Sequence, residues 1–161
     1  MAKEILISRS GLKALEDELD DLKTNKRKEI AEKIKVALFY GDLSENSEYD
    51  SAKNEQAITE ARIAEIEAML KVAKVIDAAD VSTESVSVGT TVEIQDTATG
   101  EKEKYSIVSP SEADIFSGKL SDESAVGTGL IGKKKGETAE IVLPNGKTVS
   151  YKILKIEMTP D

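Results

Sequence analysis

With 161 residues the chain has room for one ordinary domain or two small ones, and its 4% aromatic and 33% charged residues leave it a lean aliphatic core with no large ligand cavity. It contains neither cysteine nor histidine, which removes disulfides, thiolate or imidazole metal sites and histidine-based catalysis; any chemistry is confined to carboxylates, lysines and hydroxyls. The net charge of −9 divides into −3 over residues 1–76 and −6 over residues 77–161, so neither half is a general glove for nucleic acid.

The start, Met-Ala-Lys-Glu-Ile-Leu-Ile-Ser, holds no apolar run of signal-peptide length, and no segment approaches the ~20 apolar residues of a membrane span. The expectation is a cytoplasmic protein that does not enter a membrane. Ile5 to Ile7 is a short apolar entry, after which Ser8 or Ser10 can cap a helix. Leu12, Leu15, Leu19 and Leu22 then step by 3, 4 and 3, and after a polar gap at Lys26 and Glu29 the apolar positions resume at Ile30, Ile34, Ala37 and Leu38. Lys23, Lys26, Arg27, Lys28, Lys33 and Lys35 form a basic stretch on this helix. It reads either as a solvated face with pairs such as Glu29–Lys33, or as a rail for a phosphate backbone.

A second helical pattern follows, in which Tyr49, Ala52, Gln56, Thr59, Ile63, Ile66, Leu70 and Ala73 keep steps of 3 and 4. Each stripe needs a partner. Folding the chain so that Leu12 and Leu15 meet Leu70 and Ala73 puts the reversal near residue 42 or 43, at the end of two helices of about 30 residues, roughly 45 Å from the base of the hairpin at ~1.5 Å per residue. The reversal falls in Gly41-Asp42-Leu43-Ser44-Glu45-Asn46-Ser47-Glu48-Tyr49-Asp50, which carries four carboxylates, and no basic residue occurs between Val36 and Ala52. Gly41 is placed to end the first helix. Asp42 with Glu45 three residues later resembles a capping box, which explains one acid at each position but not the addition of Glu48 and Asp50.

Beyond about Val75, residues 77–87 read as a Ser/Thr-rich linker and the period changes from helical to alternating. Val88 to Ile94 and Lys104 to Val108, joined by a turn through Asp96 to Gly100, form one hairpin; Glu140 to Leu143 and Thr148 to Ile156, joined at Pro144-Asn145-Gly146, form another. Ile115 to Leu120 is a further candidate strand, and Ser124 to Ile131 a short helix or loop. Glycines at 127, 129 and 132 precede Lys133 to Lys135, but no hydroxyl residue comes directly after the lysines and the strand-to-helix order of a phosphate loop is absent.

The run Gly41-Asp42-Leu43-Ser44-Glu45-Asn46-Ser47-Glu48-Tyr49 closely resembles the tip motif of the bacterial Gre transcript cleavage factors; Ala52-Lys53-Asn54-Glu55-Gln56 and Gly129-Leu130-Ile131-Gly132-Lys133 are similar to that family's patterns as well. The resemblance spans essentially the whole chain. It implies an α+β protein: an antiparallel coiled-coil hairpin over residues 1–76 with its tip near 41–50, the 77–87 linker, and an FKBP-like antiparallel sheet domain with a short helix over 88–161. It also implies a transcription elongation factor that is not itself an enzyme: it binds bacterial RNA polymerase in its secondary channel and stimulates the polymerase's own Mg²⁺-dependent cleavage of the nascent RNA 3′ end in backtracked complexes. By that resemblance Asp42 and Glu45 are the catalytic acids and share a Mg²⁺ with polymerase, Lys53 lies near RNA, Glu123, Ser124 and Ala125 dock on polymerase, and the factor works as a monomer. Two positions depart from the family's pattern: Leu38, where many members carry arginine, and Ala125, where proline is common.

Three rivals are weighed against this. A channel-binding inhibitor of the same architecture would lack a tip acid or rearrange the tip, and both acids are present. A prolyl isomerase needs an aromatic-lined pocket, for which the C-terminal half offers only Tyr105, Phe116 and Tyr151. A chaperone-like coiled-coil protein leaves the acidic tip unexplained.

Overall fold

The apolar stripe of the first helical region slips by one residue partway along, and the backbone follows it. Continuing the rhythm of Leu12, Leu15, Leu19 and Leu22 would bring positions 26, 29, 33 and 36 onto the seam, yet the apolar side chains come one place later, at Ile30, Ile34 and Ala37. In the computed structural model, which describes residues 4–41 and 46–160, α1 (Arg9–Asp21) accordingly passes into α2 (Arg27–Phe39) through a π turn at Leu22–Lys26. There the Arg27 N–H reaches back five residues to the Leu22 carbonyl. The wider turn takes up the extra residue without ending the helix. Leu15, Ile30 and Ala37 are all buried as a result. Ser8 is the cap of α1, its Oγ accepting from the Gly11 N–H at 3.0 Å.

The partner helix α3 (Ser47–Val72) needs no such adjustment, and Ala52, Thr59, Ile63 and Ile66 are buried along one uninterrupted seam. Charged pairs join the two arms. Arg62 forks onto Glu18 at 2.7 and 2.8 Å, Arg27 onto Glu60 at 2.9 and 2.7 Å, and Lys26 and Lys33 converge on Glu55 at 2.7 and 3.1 Å. The Glu29–Lys33 pairing expected along one helix is thereby corrected. Lys33 sits on the flank of α2 beside the seam, where its long side chain reaches the neighbouring helix. With Lys23–Glu67, the cross-helix pairs among the described residues are all centred between positions 40 and 45, so the reversal lies in the acidic stretch. Solvent screens pairs of this kind, so they add little to stability; they set register, while the buried aliphatic seam supplies most of the stability.

Residues Leu12–Ala73 make up one unit, and a second is built from Glu4–Gly11 together with the chain from Lys74 onward. In the second, the apolar entry is a strand, β1 (Ile5–Ile7), laddered to β2 (Ala73–Val75), with Ile76 donating to the Ile7 carbonyl at 2.8 Å. The main sheet holds β3 (Thr90–Asp96), β4 (Lys102–Val108), β5 (Lys119–Ser121), β6 (Thr138–Val142) and β7 (Thr148–Met158) in the order β5-β4-β3-β7-β6. Both expected hairpins form. Asp96 Oδ1 accepts from the Ala98 N–H at 2.8 Å in the first turn, and Leu143 donates to the Lys147 carbonyl at 2.8 Å across the second.

The sheet is mixed rather than antiparallel, because β5 runs parallel to β4 with Ile107 opposite Leu120. Residues 109–118 make an excursion through two short 3₁₀ turns, Pro110–Glu112 and Ile115–Ser117, instead of a tight reversal. The strand expected over Ile115 to Leu120 is shortened for the same reason: Asp114 accepts from Phe116 N–H at 3.1 Å and Ser117 Oγ at 2.8 Å, which winds the first three residues into a turn. The core gathers Val92, Ile94, Ile107, Leu120, Leu130, Ala139, Ile141 and Ile153. Val86, from the Ser/Thr-rich segment, is buried with them and tied to the chain by hydrogen bonds to Lys133 and Gly132.

Candidate functional site

The two helix ends that face the acidic stretch are closed by Gly41 and Asn46. Tyr40 N–H returns to the Val36 carbonyl at 3.3 Å and Gly41 N–H to Leu38 at 3.4 Å. Gly41 then takes φ +149°, a region that a side chain strains, although nothing lies within 4 Å of where a Cβ would stand. Asn46 is the N-cap of α3: its Oδ1 accepts from the Tyr49 N–H at 3.1 Å, and its Nδ2 donates to the Ala37 carbonyl at 2.7 Å. One amide thus satisfies a free N–H at the start of one helix and a carbonyl near the end of the other.

The cap that begins α3 is thus Asn46, four residues beyond the aspartate at which the sequence suggested a capping box. An aspartate can accept from an amide but, ionised, has nothing to donate to Ala37, whereas asparagine does both. Asp42, Leu43, Ser44 and Glu45 themselves lie outside the described residues. Asn46 was missed in the sequence, although an asparagine directly before a helical run, with Tyr49 three residues on, is a recognisable cap.

Around this point the charge is sorted. Glu48 and Asp50 occupy the exposed first turn of α3, where the helix dipole favours carboxylates. A shallow groove between α2 and α3 is lined by Glu32, Lys33, Val36, Glu48, Ser51 and Glu55. Hydrogen bonds from Lys26 and then Lys33 hold the Glu55 carboxyl below its usual range, and the Arg62 hydrogen bond does the same for Glu18. Lys53 is exposed and donates one hydrogen bond to Gln56 Oε1 at 2.9 Å, leaving donors free. Among the described residues no three carboxylates cluster in a way that would hold a metal ion.

The other sequence-predicted positions belong to the second unit. Ser124 caps α4 (Ala125–Leu130), its Oγ accepting from Gly127 N–H at 3.0 Å and donating to the Ser121 carbonyl at 2.6 Å. Glu123 is held by its backbone, which donates to Ser121 Oγ at 3.0 Å, and presents its side chain to solvent, as does Ala125. Gly127 answers to packing: a Cβ there would meet the Ser121 carbonyl oxygen at 2.0 Å. Gly129 likewise lies against Ile141, so these glycines let a short helix approach the sheet and do not cradle a phosphate. The candidates therefore fall in two sets, Lys53 in the first unit and Glu123, Ser124 and Ala125 in the second.

Two family descriptions match successive parts of the chain: "Transcription elongation factor, N-terminal" over residues 5–75 and "Transcription elongation factor, GreA/GreB, C-term" over residues 81–158. The transcription elongation factor GreA of Caldanaerobacter subterraneus subsp. tengcongensis is 54% identical over 156 residues, covering 97% of this chain and 99% of that protein. The GreA of Clostridium perfringens is 55% identical over 154 residues, covering 96% and 97%. Among solved structures, the chain is similar to GreA factor homolog 1 of Thermus thermophilus, at 25% identity and a TM-score of 0.45 over 96% of this chain and 99% of that one. Among the described residues no helix is long and apolar enough to cross a membrane. Since the sequence matches run nearly from end to end, the chain belongs to the GreA/GreB family of transcription elongation factors.

Proposed function

We propose that this elongation factor works inside bacterial RNA polymerase as a monomer in the cytoplasm, entering the secondary channel tip first and stimulating endonucleolytic cleavage of the 3′ end of backtracked RNA. The observation that carries this reading is Asn46. Because it caps α3 and bridges to Ala37, the start of that helix does not need a carboxylate at position 42 or 45. Two acids in a stretch without a basic residue, beside a helix whose cap is an uncharged asparagine, suit a hard cation: Mg²⁺ commonly takes one or two protein carboxylates and keeps its waters. Asp42 and Glu45 would hold it jointly with polymerase, and bound there it would help activate water and offset phosphate charge. Lys53 offers its free ammonium donors to an RNA phosphate, while Glu123 and Ala125 present the exposed docking surface beside the Ser124 cap. The RNA is cut by polymerase, with this chain supplying part of the metal site rather than a complete one.

The test is cleavage in stalled elongation complexes. The unmodified factor accelerates cleavage, the factor alone leaves RNA intact, and the Asp42→Asn, Glu45→Gln double variant loses about 100-fold or more of the stimulation with its melting temperature unchanged. A factor that occupies polymerase and slows it without cleavage, or a fully active double variant, overturns the assignment.

A further inference from the structure

Phe39 and Tyr40 stand where apolar residues have no reason to be on this hairpin. Buried Ile30 and Ala37 mark the face of α2 turned toward α3. At 3.6 residues per turn, the opposite face carries Lys28, Glu32, Lys35 and Phe39, at spacings of i, i+4, i+7 and i+11. All four are exposed, Phe39 to 83%, and Tyr40 at the helix end is 75% exposed. The two rings meet edge to face, with centroids 5.4 Å apart and planes at 87°. They orient each other, as such pairs do, without being covered by the hairpin.

We propose that Phe39 and Tyr40 form a stacking platform for an unpaired base at the RNA 3′ end, with Lys35 and Lys28 following the phosphates behind it. The proposal rests on the cleavage reading above. Charge distribution selects the occupant. Lys23, Lys26, Arg27 and Lys33 are engaged by carboxylates of α3, while Lys28 and Lys35 make no ion pair among the described residues. The two lysines lead along one stripe to Phe39, with Glu32 between them moderating the attraction. Free cations leading to exposed rings is the pattern by which proteins hold single-stranded nucleic acid, cations on the backbone and π faces on bases of any identity. Lys35 and Phe39 are one turn apart, a rise of about 6 Å, close enough to serve the phosphate and base of neighbouring nucleotides. The aromatic pair also stands two residues before Asp42 in the chain, so the stacked base would belong to the transcript presented for cleavage.

The test uses the full chain with stalled, backtracked elongation complexes. The Phe39→Leu, Tyr40→Leu double variant keeps apolar surface and helix preference but removes both π faces. Its cleavage rate at saturating factor should fall about 10-fold, with the half-saturating concentration unchanged, while Phe39→Trp retains the rate. When the transcript ends in an abasic nucleotide, unmodified factor and double variant should cleave alike. An undiminished rate for the double variant refutes the platform, and a defect that persists on the abasic transcript refutes it too, since the rings would then be touching protein. If the unmodified factor fails to stimulate cleavage, the functional reading fails first and the platform falls with it; if it cleaves and the double variant cleaves equally, only the platform falls.

Discussion

Asn46→Ala should loosen the hairpin more than any other single change at its end. The substitution removes the cap on Tyr49 N–H, held at 3.1 Å, which is worth about 1 kcal/mol. It also removes the 2.7 Å bond to the Ala37 carbonyl, worth about another 1 kcal/mol because that acceptor is partly buried. The expected loss is ~2 kcal/mol, or roughly 8–16 °C in melting temperature for a unit of this size. Asn46→Asp separates the two bonds. The carboxylate still caps α3 and gains from its dipole, but it cannot donate to Ala37, so in salt high enough to screen the charge it adds to the acidic stretch its loss should be near half that of alanine. Thermal and urea unfolding followed by helical circular dichroism measures both. An alanine variant that melts with the parent, or an aspartate variant as damaged as alanine, would refute the bridging role.

The other expectations concern charge and packing. Glu18, Glu55 and Glu60 are each held below their ordinary value of 4.5 by hydrogen bonds from Arg62, Lys26 and Arg27 respectively. A carboxyl depressed in the folded state lends stability that is complete above its unfolded value and fades as pH falls through the folded one. Helix melting should therefore drop below about pH 4.5 and stay flat above it, and Arg62→Gln should remove part of the drop. At the proposed docking loop, Glu123→Gln should weaken polymerase binding in a competition assay without altering the melting temperature. Ser124→Ala should weaken binding while also costing about 1 kcal/mol, because its hydroxyl caps α4. Gly127→Ala should destabilise the sheet unit by about 1–3 kcal/mol, since its Cβ would meet a backbone oxygen at 2.0 Å; an unchanged urea midpoint would contradict that contact.

What was legible in the sequence was local or periodic. Ala52, Thr59, Ile63 and Ile66 recur at 3 and 4, and matching that stripe to Leu12 and Leu15 was enough to place the reversal. Asp96 to Gly100 and Asn145-Gly146 announce their turns through their own chemistry. The features that escaped depend on partners remote in sequence. A uniform period has no place for the residue absorbed at Leu22–Lys26, even though the polar gap at Lys26 and Glu29 was its trace. Three residues of β5 cannot declare whether they will lie parallel or antiparallel, because that is set by the excursion before them. Lys33 had two carboxylates within reach, and only the neighbouring helix decides for Glu55. At the site, Asp42 and Asn46 each begin a plausible cap, and the choice turns on the Ala37 carbonyl nine residues upstream of Asn46.

That choice also bears on why the tip is so acidic. Asp42, Glu45, Glu48 and Asp50 fall within nine residues without a cation between them, and like charges so close repel, most strongly at low ionic strength. Selection for stability alone would disperse them, since one good cap suffices and Asn46 is uncharged. Gly41 and Asn46 instead close the two helix ends on either side with backbone and amide hydrogen bonds that do not draw on the acids. Local rules that are broken at one place and compensated beside it mark functional positions, and here compensation and violation are neighbours. The Asn46 clamp opposes the repulsion, so the loss caused by Asn46→Ala should grow as salt is lowered; a loss independent of salt would mean that the acids and the clamp are not coupled.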